Sequence, residues 1–283
     1  MTAPAPDFLS GDSGDVTDPW RRAKRAAGEA AFAAIDLAAG TGRRAGRLAA
    51  AAPARDVLVA GVYRPDSLLG EALPALRSER HRVTFALGST AGVDPPLAAH
   101  TVAGGLGGGK FENLNRVMAD TPRADWTLIV DDDVRLPRRF LDRIIGVCEA
   151  LGLDLAQPAQ TLLSHSAWKV TRRRPASLAR ETRFVEIGPV TLFSRRVAER
   201  LLPFPELRYG WGLDLHWAAL AAQSGWRLGV VDALPVRHSA RTVASGYPRD
   251  EAEREAAGFL AERPYLSGAR AGDVLAVHRR VGR

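Results

Sequence analysis

The sequence predicts an α/β fold built on a mixed, mainly parallel sheet flanked by helices. Short valine-rich runs such as "DVLVAGVY" and "DWTLIV" alternate with helical patterns, glycine closes two of those helices, and three adjacent aspartates follow one of the strands directly. Strands alternating with helices imply a largely parallel sheet covered on both faces. In such sheets ligands sit beyond the carboxyl ends of the strands. A chain of 283 residues is long enough to bury a real core as one large domain with an appendage.

Residues 1–18 are rich in Pro, Gly, Asp and Ser and read as a disordered leader. They lack the basic start and hydrophobic segment of a signal peptide. A helical extension follows over 19–54, with Asp18 placed to cap it, Pro19 at the first helical position and an alanine-rich body. Its Arg and Lys residues fit either a solvated helix packed beside the main domain or peripheral contact with an anionic membrane surface. The main domain spans 55–245, and 246–283 read as a C-terminal extension of helix and loop.

Within the main domain, "DVLVAGVY" and "HRVTFALG" are buried strands, and the segment between them carries a helix interrupted at Pro74. "NLNRVMAD" is a helix and "DWTLIV" a third strand. "RRFLDRIIGVCEALG" is an amphipathic helix ending at Gly152. Further on, "RFVEIGPVTLFS" reads as a strand pair broken at Gly188 and Pro189, "LDLHWAALAAQSG" as a helix closed by Gly225, and "WRLGVVD" as a strand. The basic stretch "KVTRRRPASLARETR" reads as a loop.

Composition narrows the function classes. No apolar run approaches the roughly 20 residues that cross a bilayer. Cys148 is the sole cysteine, which excludes an intrachain disulfide and a thiolate-rich metal site and fits a cytoplasmic setting. The formal charge of +7 favours anionic partners. A nucleic-acid-binding module is the rival suggested by that charge, but the aromatic residues are not interleaved with the basic ones, so no nucleic acid partner is expected.

The aspartates of "LIVDDDV" carry the chemistry. Like charges crowded at a strand end raise one another's pKa and need solvent, cations or a metal to stay ionised. Mg²⁺ or Mn²⁺ takes such oxygen ligands together with substrate phosphates, while a polar turn with its acids in water uses the same letters. "GGLGGGKFENLN" sets a glycine run ahead of Lys110, Asn113 and Asn115, as a phosphate-binding loop feeding a helix would. "YGWGLDLHW" places Asp214 beside an aromatic flap at Trp211, and His238 lies just beyond a strand.

The order of these motifs resembles the GT-A class of nucleotide-sugar glycosyltransferases, over residues 55–245. "AQPA", "RFVEIGPVTLFSR" and "YGWGLD" together look like the domain-of-unknown-function family numbered 707. The resemblance implies a GT-A-like, Rossmann-like nucleotide-diphospho-sugar transferase fold and metal-dependent transfer of a sugar to a hydroxyl acceptor, which could be a glycan, a lipid-linked sugar or a small molecule. By that resemblance Asp133 and His238 hold the metal, and Asp131 touches it or the ribose. Tyr63, Arg64, Lys110, Asn115 and Asp132 contact the nucleotide-sugar. Arg172 and Arg173, with Arg174, form a phosphate clamp, and Trp211 lies on the acceptor side. Asp214 matches the acid that takes the acceptor proton in inverting members, and Glu186 is the reserve candidate. Leu213 stands where many relatives carry a second acid, so a retaining outcome stays open. A sugar nucleotidyltransferase shares this sheet and metal chemistry, but its Gly-rich basic loop is absent from "GVYRPDSLLG".

Overall fold

A computed structural model of the chain describes residues 7–9, 18–238 and 247–281. Two helices come first, α1 (Pro19–Ala39) and α2 (Thr41–Ala51). Asp18 accepts the Arg21 amide at 2.6 Å, as the sequence anticipates, and Gly40, in the left-handed region at φ 67°, makes the turn between the helices. An alternating series follows: β1 (Asp56–Tyr63), α3 (Leu69–Leu76), β2 (Arg82–Ser89), β3 (Thr101–Ala103), α4 (Lys110–Met118), β4 (Trp126–Val130), β5 (Val134–Arg135) and α5 (Phe140–Leu151). The second half contains β6 (Leu155–Gln160), β7 (Ala179–Thr182), β8 (Val190–Ser194), α6 (Arg195–Leu201), α7 (Leu213–Ser224) and β9 (Leu228–His238). The chain continues through α8 (Arg249–Ala261), α9 (Gly268–Ala271) and β10 (Val274–His278).

The main sheet has the order β10-β7-β9-β6-β8-β4-β1-β2-β3, with β5 paired to the far end of β9. Strands β3, β2, β1 and β4 are parallel, so their carboxyl ends share one edge. β8 is antiparallel to both β4 and β6 and joins this half to a second one in which β6 and β9 are parallel. Apolar residues fill both faces. Val59, Leu128, Val190 and Val231 pack under α3 and α5, and Ile129, Phe193 and Trp217 pack with α4 and α7. Each fully buried side chain of this size contributes roughly 1.5–3 kcal/mol.

Several elements depart from the sequence reading. α3 runs through Pro74 because Leu69, Leu73 and Leu76 are buried on one side of it. Only Val190–Ser194 of the expected strand pair is a strand; residues 183–189 are irregular and end in a cis Gly188–Pro189 peptide. β6 is fully buried although it contains Pro158, and its register with β9 shifts just beyond that residue, where the ladder lacks an N–H.

The basic stretch is not a free loop. β7 lies within it, and its buried Arg180 pairs with fully buried Asp232 at 2.9 Å while donating to the carbonyls of Val170 and Arg172. The ends of the chain are also tied in. β10 extends the sheet beyond residue 245, and Phe259 and Leu260 of α8 join the core. In the leader, Asp7 accepts the Gly268 amide and the Tyr265 hydroxyl, and Phe8 packs on the core; residues 1–6 and 10–17 lie outside the described residues.

Candidate active site

The carboxyl end of β4 meets the end of β9. Asp131, Asp133 and His238 each offer one ligand atom there, and these atoms all lie within 4.8 Å of one another. His238 Nε2 is 3.0 Å from Asp133 Oδ1. The pairing of β5 with the last residues of β9, Val134 opposite His238, sets this spacing. β9 therefore runs farther than "WRLGVVD" suggests, and His238 is its final residue. Two carboxylates and an imidazole are a donor set suited to a divalent ion such as Mn²⁺.

Burial pulls the His238 pKa down, but the hydrogen bond and charge of Asp133, with Asp131 and Glu186 behind them, outweigh it and leave the pKa raised. Asp131 is also raised, by burial against the opposing charge of Lys110.

Lys110 opens α4, whose first turn is fixed by Glu112 accepting the Gly109 amide at 2.6 Å. Gly108 takes a φ of 97°, which a side chain would resist. Lys110 Nζ reaches across to Asp131 Oδ1 at 2.6 Å and to the Ile187 carbonyl at 3.2 Å. Gly188 leaves room for this pair, since a Cβ there would stand 2.8 Å from Asp131 Oδ2 and 3.2 Å from Lys110 Nζ and would push those side-chain ends apart.

The irregular segment before Gly188 brings in two further acids. Glu186 accepts from Gln160 Nε2 at 2.9 Å, and its own amide donates to Gln157 Oε1. Asp214 is buried in the first turn of α7 and accepts the Leu215 amide at 2.9 Å. The cap of that helix is Gly212, so Asp214 is not its N-cap. Burial pushes Asp214 up to about 7 against hydrogen bonds from the Leu215 and Ile187 amides. Glu186 rises to about 8, through burial first and then through the charge of Asp214, with His238 and Lys110 opposing. These two carboxyls can hold or release a proton near neutrality.

Other residues singled out in the sequence have different employment. Tyr63 is wholly buried, its hydroxyl 2.8 Å from Thr101 Oγ1, and is closed to a nucleotide. Asn115 spends both ends of its amide on the backbone of Phe204, each at 2.8 Å, and so fixes the 202–205 turn rather than a ligand. Arg173 cannot clamp a phosphate: it is buried and paired with Glu29 and Asp36 of α1. Asp132 turns toward β1, where Arg64 grips it at 2.8 and 3.0 Å, and so stands apart from the ion-binding group. Arg64 keeps about half of its side chain exposed. Arg172 donates to Ser166 Oγ and has its pKa lowered, by burial and then by nearby Arg25. Trp211 donates its indole N–H to Tyr247 at 2.8 Å.

Gln160 and Tyr247 went unmarked in the sequence, Gln157 was noted only within "AQPA", and Gly188 was read only as a strand break. A signal for Gln157 and Gln160 existed, since glutamines interrupting the apolar "LAQPAQ" have to face a polar partner.

The mixed, mainly parallel sheet flanked by helices matches the GT-A fold of solved glycosyltransferases. No protein-family model matches the chain, and no curated protein matches it by sequence. Among solved structures, a mannosyltransferase from Pyrobaculum calidifontis in complex with GDP-Man and Mn²⁺ is similar, with 18% identity and a TM-score of 0.52, covering 86% of this chain and 79% of that one. The TarS 1-349 structure from S. aureus, in complex with UDP-GlcNAc, has 15% identity and a TM-score of 0.49, covering 76% of this chain and 68% of that one.

Proposed function

We propose that this chain is a manganese-dependent glycosyltransferase that moves a sugar from a nucleoside diphosphate to a hydroxyl acceptor. The observation that carries this reading is the Asp131, Asp133 and His238 donor set at the carboxyl end of β4, with two proton-holding acids, Glu186 and Asp214, in the same cleft. The similar mannosyltransferase, crystallised with GDP-Man and Mn²⁺, supports it. The likeness to family 707 rests on the motifs "AQPA", "RFVEIGPVTLFSR" and "YGWGLD".

When bound, the ion supplies positive charge for the leaving diphosphate. Asp131, Asp133 and His238 hold it. Lys110, beside Asp131, adds a cation on the phosphate side, and the exposed part of Arg64 flanks the nucleotide. Asp214, fixed by backbone amides in the first turn of α7, takes the proton from the acceptor hydroxyl in a single displacement, which inverts the sugar. Glu186, pushed up to about 8 by burial and by the charge of Asp214, lies beside it and accepts from Gln160. Trp211, braced by Tyr247, walls the acceptor side.

A thermal-shift panel of nucleoside diphosphates and nucleotide sugars, with and without Mn²⁺, tests the reading. A rise in melting temperature that requires both ligands is expected. Indifference to every nucleotide in the presence of Mn²⁺ sinks it.

A further inference from the structure

The N-terminal helices place their charge unevenly. Within residues 19–54 the acids are Glu29 and Asp36, and both face the main domain. Glu29 accepts the Leu162 amide at 2.9 Å and Asp36 the Ala176 amide at 2.7 Å, and both pair with buried Arg173. Most of the extension's cations are exposed instead. Arg21, Arg22 and Lys24 of α1 are exposed, as are Arg43 and Arg47 of α2. With its two acids spent on Arg173, the extension is net positive and carries much of the chain's formal +7.

The same surface is apolar where it should be polar. α1 has no fully buried residue along its 21 positions, yet three large apolar side chains stand in solvent: Trp20 at 80% exposure, Leu37 at 78% and Ile35 at 44%. At 100° per residue Trp20, Lys24, Ala27, Ala31, Ala34 and Ala38 fall on one side of the helix, and Ile35 and Leu37 flank that stripe. A surface helix of a globular domain normally turns such a stripe inward. Here the inward side carries Gly28, Glu29, Phe32 and Asp36 instead, and it is fastened by ion pairs and backbone hydrogen bonds. The apolar stripe is therefore held outward.

We infer that the outer face of α1, with the cations of α2 beside it, docks on an anionic lipid bilayer. Trp20, Ile35 and Leu37 enter the boundary between headgroups and acyl chains, and the Arg and Lys side chains meet the acidic headgroups. Charge complementarity selects this occupant over a second copy of the chain, because two copies of one positive face repel. An apolar stripe flanked by cations is the pattern of a helix lying in the plane of a membrane interface. No described helix is long and apolar enough to cross a membrane, so the attachment is peripheral.

The inner side of α1, behind the docking face, and the candidate active site are close neighbours. Leu162 is bonded to Glu29 of α1, and three residues later the His165 amide donates to the His238 carbonyl at 2.7 Å. Three residues of chain span at most ~10 Å. Docking would therefore hold the cleft within reach of an acceptor that resides in the membrane.

Flotation with vesicles tests the inference on the full chain. Binding is expected to vesicles of phosphatidylcholine mixed with phosphatidylglycerol, to be nearly absent with phosphatidylcholine alone, and to weaken as salt is raised. Replacing Arg21, Arg22 and Lys24 by Gln together should lower partitioning by on the order of a hundredfold, about fivefold per cation. Leu37→Glu should also lower it. These positions are exposed, so melting temperature and Mn²⁺-dependent nucleotide binding should stay unchanged in every variant, which separates this proposal from the catalytic one. Equal binding to both kinds of vesicle, no binding to the anionic ones, or a triple variant that floats like the parent overturns it. So does a dimer in sedimentation that Leu37→Glu splits without any vesicle binding, or tight binding to a nucleic acid duplex in place of vesicles.

Discussion

Lys110 Nζ lies 2.6 Å from Asp131 Oδ1, and Gly188 leaves the space in which the two meet. An ammonium from the start of α4 thus stands against a carboxylate at the end of β4. Removing it should be felt by a diphosphate more than by the fold, since both groups are partly exposed. Lys110→Met is expected to weaken calorimetric affinity for a nucleoside diphosphate with Mn²⁺ by roughly tenfold or more, the scale of a charge-assisted hydrogen bond. Unchanged affinity would take Lys110 off the phosphate side.

Manganese binding should be proton-linked. His238 is raised by its bond to Asp133 and has to give up its proton before its Nε2 can serve as a ligand. Mn²⁺ affinity is expected to rise with pH through and above the ordinary histidine range, with protons released on binding. Asp133→Asn should abolish the Mn²⁺-dependent part of nucleotide binding while the melting temperature of the free protein changes little. A pH-independent affinity counts against His238 as a ligand.

Asp214→Asn keeps the shape and the hydrogen bond accepted from Leu215 but cannot take a proton. Turnover should fall roughly a hundredfold or more with donor affinity little changed. In the parent, turnover should climb as pH rises through about 7, where Asp214 ionises, and the variant should lose that limb. Near-normal transfer by the variant moves the base role to Glu186.

The two buried acids also make stability depend on pH. Asp214 is raised from 3.8 to about 7 and Glu186 from 4.5 to about 8, so the folded chain holds protons that the unfolded chain has already released. Stability from this source is complete below the ordinary carboxyl values and is lost as pH rises through the raised ones. With a chelator present, the melting temperature should decline between about pH 5 and 8. Glu186→Gln with Asp214→Asn should flatten that decline, and an equally steep decline in the double variant refutes the cause.

The parallel half of the sheet was legible because its strands are unbroken apolar runs punctuated by glycine. Strands β6 and β7 were not: β6 hides behind Pro158, and β7 behind arginines whose charges are absorbed by Asp232 and by backbone carbonyls. At the candidate site, Asp131, Asp133 and His238, singled out through the resemblance, are brought together at strand ends. Tyr63, Asn115 and Arg173 misled for one shared reason. A side chain's type and place in the chain do not reveal which partner it finds, and each of the three is satisfied by a segment distant in sequence: Thr101, Phe204 and the acids of α1.

Arg173 decides where this protein can be shortened. Its guanidinium is buried, and the opposite charges are those of Glu29 and Asp36, more than a hundred residues earlier in the chain. A chain begun at residue 55 would leave that cation in the interior without either acid, and breaking a buried pair from one side costs about 3–5 kcal/mol. The helices that look dispensable by composition are therefore a fastening. A protease that clips the turn at Gly40 should release little while α1 stays clamped, and an early stop to synthesis of the segment carrying Arg173 would leave α1 with nothing to hold.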